Sequence, residues 1–483
     1  MNYRMVLNII GRIVMAEAAL LCLPVITALY YSETASLHAF LISAAVALSV
    51  GALCVIVSRT KDRNVYAGEG FVSVAFAWIL LSVIGCLPFY ISGEIPHFVD
   101  AVFETVSGFT TTGASILVDV ESMSHSMLFW RSFTHWVGGM GVLVFVMAIV
   151  PGNSKGTMNI MRAEMPGPII GKLVPRIKDT AKILYLIYIA LTAIQVVFLL
   201  AGNMSFFESV VHSLGTAGTG GFGIKGDSLG SYSPYIQWVI TIFMLIFGIN
   251  FNLYYLILIK RFRSAMQSRE LWCYWGIVIA AVAVITANIY SIYGNLADSV
   301  RHSSFQVAGI ITTTGYSTAN FDLWPDLSKG ILLVLMFIGG CAGSTAGGLK
   351  LSRAMLLFKL IRREIRKILH PRSVNKIQFE GRGLGEATTD SVSVYFAVYI
   401  GCIVAIFLLL CIEPFGFETN FSAAVSCFNN VGPGFGGVGA AMNYSLYSDF
   451  SKIILSFAML LGRLEIFPLI IALSPATWSR KYR

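Results

Sequence analysis

Charge is what this sequence has least of. Asp, Glu, Lys and Arg make up 12% of its 483 residues and 56% are hydrophobic, whereas about a quarter of an ordinary soluble domain is charged. Too little polar surface is left to cover a water-soluble globule, so the chain is expected to be a membrane protein. Paired cysteine chemistry is missing as well. The 8 cysteines (Cys22, Cys54, Cys86, Cys273, Cys341, Cys402, Cys411 and Cys427) form no CxxC and lie in or beside apolar stretches, which argues against a disulfide framework or a zinc site and reads as small core residues. There is no HExxH and the 7 histidines are scattered, so nothing gathers the nucleophiles, acids or metal ligands that a membrane enzyme needs at one depth. The formal charge of +9 does not point to nucleic acid, because the bases sit in short segments between apolar spans, where they act as a topology signal.

Apolar runs are abundant. One bilayer crossing takes roughly 20 apolar residues, and such runs begin near Asn8, His38, Phe71, Met127, Ala181, Tyr235, Leu271, Ser328, Ser391 and Phe450. Ten crossings are therefore expected, with both termini on one side. The first run follows Arg4 and Arg12 as a signal peptide would, yet it is long, carries Glu17 and has no A-x-A site, so it reads as a retained span. Most of the 34 Lys and Arg residues fall at the N-terminus, at 59–63, 155–182, 260–269 and 350–382, and in the tail 480–483, which the positive-inside rule places in the cytoplasm. The alternate connections carry acids such as Asp100, Asp119, Asp322 and Glu418, whose field concentrates cations.

Four of these outer connections share one plan: a short half-apolar stretch, a glycine-centred turn, then a span. The turns are TTGAS at 111–115, TGGFG at 219–223, TTGYS at 313–317 and NVGPG at 430–434. Before them AVFETVSGF, ESVVHSLG, SSFQVAGI and FSAAVSCF read as helices too short to cross, with Glu104, His212, Gln306 and Ala423 nine residues ahead of the central glycines. The expected fold is an all-α polytopic membrane protein of four tandem helix, pore-loop, helix repeats around one pore, preceded by two extra transmembrane helices. Its segments are 1–66 (the two extra helices), 67–156 (repeat 1), 157–264 (a cytoplasmic loop and repeat 2), 265–370 (repeat 3) and 371–483 (a linker and repeat 4).

Irregular backbone is tolerated at membrane depth only where it is buried in protein or lines a watery cavity, so four such loops are expected to converge. Inward carbonyls can then replace the hydration shell of a monovalent cation, and glycine permits the φ > 0 conformations that turn successive carbonyls to one side. The candidate ligands are backbone oxygens of Thr111, Thr112, Gly113, Thr219, Gly220, Gly221, Thr313, Thr314, Gly315, Asn430, Val431 and Gly432. No metal-binding carboxylate or histidine is required. A GxGxxG match at Gly434, Gly436 and Gly439 follows no expected strand, so a dinucleotide fold is a poor reading.

At these loops the chain resembles the Trk/Ktr/HKT superfamily of potassium transporters and, within it, the TrkH branch, whose two extra spans it shares. The resemblance extends to WRSFTHWVGGMG at 130–141, RAEMPGP at 162–168, KLVPRIKDTAK at 172–182, GGCAGSTAGGLK at 339–350, HPRSV at 370–374 and GRLEIFP at 462–468. It implies potassium uptake across a bacterial cytoplasmic membrane, with K+ as the transported ion. It also implies a homodimer in which each subunit has its own pore, gated by a cytosolic nucleotide-binding ring of RCK type, TrkA. An ion-coupled symporter, driven by H+ or Na+ on the same scaffold, is the alternative. The first and third turns end in Ser115 and Ser317 rather than glycine, so the carbonyl ladder is expected to be shorter than in tetrameric potassium channels.

Below the expected filter, Gly339, Gly340, Gly343, Gly347 and Gly348, with Ser344 and Thr345 between them, interrupt the span after the third loop, at roughly 1 kcal/mol of helix stability per glycine. Counted from the central glycines, this run is level with Gly138 and Gly248, just under the filter. The resemblance makes the segment up to Lys350 an intramembrane gating loop. Arg463, about a dozen residues into the last span, is a costly mid-membrane charge that is expected to face the pore or hold that loop. Glu465, two residues on, lies on another face of an ideal helix and is a poor partner for it. Asn250 and Asn252 are expected to line the lower pore, and the basic loops at 162–182 and 359–382 to meet anionic lipid and, by resemblance, the ring.

Overall fold

The computed structural model describes residues 1–58, 67–141, 177–372 and 376–478, and its regular structure is helical apart from a hairpin pairing Gln378–Phe379 with Arg382–Gly383. The basic stretches at 59–63 and 480–483, the junctions after 66 and 156, the motif at 162–168 and part of those at 172–182 and 370–374 lie outside the described residues.

All ten expected runs start inside a helix, but they are not ten straight crossings. Among the described residues six helices are long and apolar enough to cross a membrane: Tyr3–Tyr30, Thr34–Val57, Gly68–Ser92, Ala181–Ala201, Arg269–Tyr293 and Thr388–Leu410. Two more runs are bent pairs, Pro234–Phe247 with Phe251–Leu258 at 90° and Asp449–Arg463 with Phe467–Leu473 at 119°. The other two begin as the short helices His125–Gly139 and Asp326–Ile338. The second helix of every repeat thus ends or breaks at one level, where the sequence reading placed a break only in the third. Each carries glycine there (Gly138, Gly248, Gly339, Gly462), and close packing requires it: a Cβ on Gly138 would fall 1.9 Å from the Phe109 carbonyl oxygen, and one on Gly462 would fall 1.9 Å from that of Phe428.

Between first and second helices stand the half-helices Phe98–Phe109, Phe206–Gly218, Leu296–Ile311 and Phe417–Asn429. At 1.5 Å per residue they are roughly 18 to 24 Å long, short of the hydrocarbon core. Polar side chains cap the starts of the second and third. Ser205 and Glu208 form a reciprocal capping box, and Asn295 accepts from the Ala297 N–H, each satisfying N–H groups that the helix leaves open. Their C-terminal halves are buried.

The half-helices fix the closure of the molecule. Those of repeats 2, 3 and 4 pack against the second helix of the preceding repeat, and that of repeat 1 packs against Asp449–Arg463 of repeat 4. The piece Phe467–Leu473 then meets the first helix of repeat 1. Outside this ring the first helices turn apolar residues outward: Leu186 is 70% exposed and Ile279 64%, a surface made for hydrocarbon rather than water. Tyr3–Leu20 and Thr34–Val57 pair through Gly11 and Gly51, whose added Cβ atoms would each fall 2.8 Å from the other's carbonyl oxygen, the close approach that small residues allow between membrane helices.

Candidate functional site

Each half-helix runs directly into its glycine-centred turn, and the four turns share one backbone. The residue two before each central glycine is left-handed, with φ of 56° at Thr111, 55° at Thr219, 54° at Thr313 and 56° at Asn430, and so is the glycine itself, at 79°, 77°, 78° and 99° for Gly113, Gly221, Gly315 and Gly432. A left-handed threonine is costly. Three of them in phase mean that surrounding structure imposes the alternation.

The turns also touch in cyclic order. A Cβ on Gly113 would lie 2.0 Å from the Gly220 carbonyl oxygen, one on Gly221 1.9 Å from that of Thr314, one on Gly315 2.1 Å from that of Val431 and one on Gly432 2.5 Å from that of Thr112. All twelve sequence-predicted residues are therefore brought together. The four carbonyls immediately before the central glycines form a closed ring at one level, and all four half-helix C-termini, the negative ends of their dipoles, lead into it.

Side chains brace the ring from behind. Glu104 and Arg131 form an ion pair at 2.7 Å, with side chains 0% and 2% exposed. Glu104 also accepts from Ser115 Oγ and the Ile116 N–H, and Arg131 donates to the Gly223 carbonyl of the second turn. His135 donates from Nδ1 to the Gly108 carbonyl and accepts at Nε2 from the Phe222 N–H, which fixes its neutral tautomer. Its ring lies against Gly220, where a Cβ would come within 2.2 Å of it. Tyr316 donates to the Phe222 carbonyl and contacts His212, Asn430 Nδ2 donates to Thr112 Oγ1 and the Met459 carbonyl, and Tyr444 donates to the Gly432 carbonyl. Gln306 holds the Ala319 carbonyl.

Of the four residues singled out by their phase, Glu104 and His212 meet turn residues Ser115 and Tyr316, Gln306 bonds just past its turn, and Ala423 is buried. Sequence reasoning missed Arg131, His135 and Tyr444. For Arg131 a signal existed: it is a basic residue within the short apolar helix His125–Gly139, and such a charge needs a partner.

Beneath the ring, Asp326–Ile338 stops at Gly339 and helix Leu351–Leu369 starts after Lys350. Between them Gly339, Gly343, Gly348 and Lys350 are left-handed, so the run is a folded loop. It touches the third turn, repeat 2 and repeat 4 directly, and repeat 1 only by way of Arg463. The Gly347 N–H donates to Thr313 Oγ1, and Cys341 N–H donates to the Gly248 carbonyl. Phe251 N–H donates to the Gly343 carbonyl, and Thr345 Oγ1 donates to the Phe247 carbonyl. Gly340 sits close to Ala346 and Ser344, and Lys350 Nζ caps the Ala346 carbonyl. Arg463 binds carbonyls: it donates to Thr345 at 2.9 Å and to Gly138 and Gly139 at 2.5 and 2.7 Å. Glu465 pairs instead with Arg353, in the first turn of the helix that follows the loop. Asn250 caps the lower half of the broken second helix, with Oδ1 accepting from the Asn252 N–H.

Comparison with known proteins agrees with this architecture. The family model for TrkH, described as a cation transport protein, matches residues 36–286 and 266–482. The Trk system potassium uptake protein TrkH of Salmonella typhimurium is 37% identical over 99% of this chain and 100% of its own length, and TrkG of Escherichia coli is 32% identical over 99% of each. The crystal structure of the potassium transporter TrkH from Vibrio parahaemolyticus superposes with a TM-score of 0.88 at 32% identity, covering 99% of this chain and 100% of that one. The chain belongs to the TrkH family of cation transport proteins.

Proposed function

We propose that the chain takes up potassium across the bacterial cytoplasmic membrane through a channel-like pore. Its selectivity filter is made by the backbone oxygens of residues 111–113, 219–221, 313–315 and 430–432, one turn from each repeat within the segments 67–156, 157–264, 265–370 and 371–483. The observation that carries this reading is the closed cyclic contact of Gly113, Gly221, Gly315 and Gly432 with the carbonyl of the next turn. Four inward carbonyls under four half-helix C-termini can replace the water around a monovalent cation without a charged ligand. The family of TrkH potassium transporters gives the ion.

The loop at 339–350 is the obstruction that gating moves, with Arg463 as its latch. It lies directly below the ring, bonded to the filter at Thr313, to the inner end of repeat 2 and to Arg463 of repeat 4, which in turn holds the inner end of repeat 1. A cytosolic nucleotide-binding ring of the TrkA kind works it from the side of the basic loops, and both termini share that side. The chain acts as a homodimer in the lipid bilayer, each subunit with its own pore, as its kinship with Trk system proteins supports.

The test is single-channel recording of the purified chain in a planar bilayer, with and without the ring protein. Potassium-selective unitary currents far above carrier turnover are expected. Flux that requires a fixed number of protons or sodium ions per potassium, with no unitary currents, would overturn the channel reading in favour of symport.

A further inference from the structure

The helix Leu351–Leu369 has two apolar faces, and only one is used. Leu356 and Leu360 are buried against Ile377, Phe379 and Val392. At 100° per residue Phe358, Ile361, Ile365, Ile368 and Leu369 fall on roughly the opposite side, within an arc of roughly 100°. They are exposed: Phe358 75%, Ile368 78% and Leu369 68%. Along the same turns run Lys359, Arg362, Arg363, Arg366 and Lys367, with Glu364 the one acid among them.

The level of this stripe is fixed by its neighbours. Lys359 donates to the Gln378 carbonyl in the hairpin, and the next hairpin residue but one, Glu380, accepts from Ser268 Oγ and the Glu270 N–H at the start of the span Arg269–Tyr293. In that first turn Trp272 is 61% exposed, the residue type that marks the boundary between hydrocarbon and water. The last ten residues of the helix therefore begin at the boundary. A helix continuing straight into water from there would expose isoleucines and a leucine to it.

We infer that the helix Leu351–Leu369 is an in-plane anchor, its exposed apolar stripe lying in the interface of the membrane and its basic residues on anionic lipid headgroups. Charge selects this occupant. A second copy meeting the stripe across a two-fold axis would set one basic row against another, whereas an anionic bilayer supplies both hydrocarbon for the isoleucines and negative charge for the bases. Long Arg and Lys side chains reach headgroups while their stems lie along apolar surface. The inference does not depend on which ion the pore passes. Its consequence is mechanical, since the helix begins where the glycine-rich loop ends.

Hydrogen exchange read by mass spectrometry on the full chain in nanodiscs tests it. The discs are phosphatidylcholine alone or phosphatidylcholine with phosphatidylglycerol. Peptides covering 361–369 should exchange more slowly in the anionic discs, by roughly 25- to 125-fold if two to three basic residues engage at about fivefold each. The variant Arg362→Gln/Arg363→Gln/Arg366→Gln/Lys367→Gln should lose that difference, and Ile361→Ser/Ile365→Ser should exchange fast in both discs. Peptides from 269–293 must keep the parent protection, which shows that the variants fold. Equal exchange of the parent in the two lipids overturns the inference. So does protection that appears only with the ring protein added, or only in discs holding two copies.

Discussion

The upper and lower levels of the repeats are built on opposite plans. At the upper level four turns adopt one backbone, with left-handed residues in the same two positions, and each touches the next. At the lower level the four second helices end in four different ways: a stop at Gly139, a 90° bend, a loop at 339–350 and a 119° bend with Glu465 and Ile466 left-handed. Equal ligands around an axis require equal backbones, so symmetry above suits binding a spherical ion. Asymmetry below gives one repeat a segment that repeats 2 and 4 only hold, which is what a movable part needs. The upper turns are braced by buried side chains, the lower loop mainly by hydrogen bonds to carbonyls.

The largest effect is expected from removing a brace of the upper level. Arg131→Met leaves Glu104 buried without its cation, a change that costs about 3–5 kcal/mol when one partner of a buried pair is lost. Thermal unfolding of the purified chain should shift far down and potassium uptake should vanish. The double variant Glu104→Gln/Arg131→Met should recover part of the stability, because no orphan charge remains. A single variant as stable as the parent would mean that the pair does not hold the first turn.

Next is the ring itself. Gly113→Ser must place a Cβ 2.0 Å from the Gly220 carbonyl at a φ of 79°, a backbone that costs a non-glycine residue roughly 1–2 kcal/mol. The neighbouring carbonyl has to move, and the preference for potassium over sodium should fall by about tenfold, equivalent to about 1.4 kcal/mol. Bi-ionic reversal potentials measure it. Gly276→Ser, where an added Cβ meets nothing within 4 Å, is the matched control. Parent selectivity in folded Gly113→Ser would remove the first turn from the filter.

The same contrast explains what the sequence could reveal. Repetition carries information, so the four turns, their half-helices and the phase of Glu104, His212 and Gln306 were legible from spacing alone. So was the break at 339–350, where glycines crowd. The breaks at 248–250 and 464–466 were not, because each needs only one glycine and a close neighbour, Thr312 for Gly248 and the Phe428 carbonyl for Gly462. Nor does threonine announce a left-handed backbone, since its own preference opposes it. Long-range partners such as Glu104 with Arg131 or Glu465 with Arg353 leave no trace in a single sequence beyond a buried charge in want of one.

Removing the lower segment tests the contrast from below. Deleting 343–347 takes away the Gly347 bond to Thr313, the Gly343 bond to Phe251 and the Thr345 acceptor of Arg463. Basal potassium flux into proteoliposomes should rise, by more than any single substitution in this region produces, while selectivity stays at the parent value. Lost flux in folded protein would make the loop a structural element.

The smallest effect expected is also the most discriminating. Arg463 spans two elements, reaching Thr345 in the loop and Gly138 and Gly139 at the end of repeat 1's second helix. A bare unit charge about 6 Å from a passing cation, at an effective ε of 20, would set a barrier of roughly 3 kcal/mol. Three carbonyl acceptors offset part of that charge, so Arg463→Ala should raise basal conductance by about tenfold, a barrier change of about 1.4 kcal/mol. Arg463→Lys separates the two ways this can arise. Lysine keeps the charge on a compact head but lacks the planar fork that reaches carbonyls on two elements at once. If repulsion closes the pore, Lys should conduct like the parent and only Ala should be raised. If the fork latches the loop, Ala and Lys should be raised alike. Parent conductance in both folded variants, with and without the ring, would leave Arg463 as a tie between helix ends and confine the gate to residues 339–350.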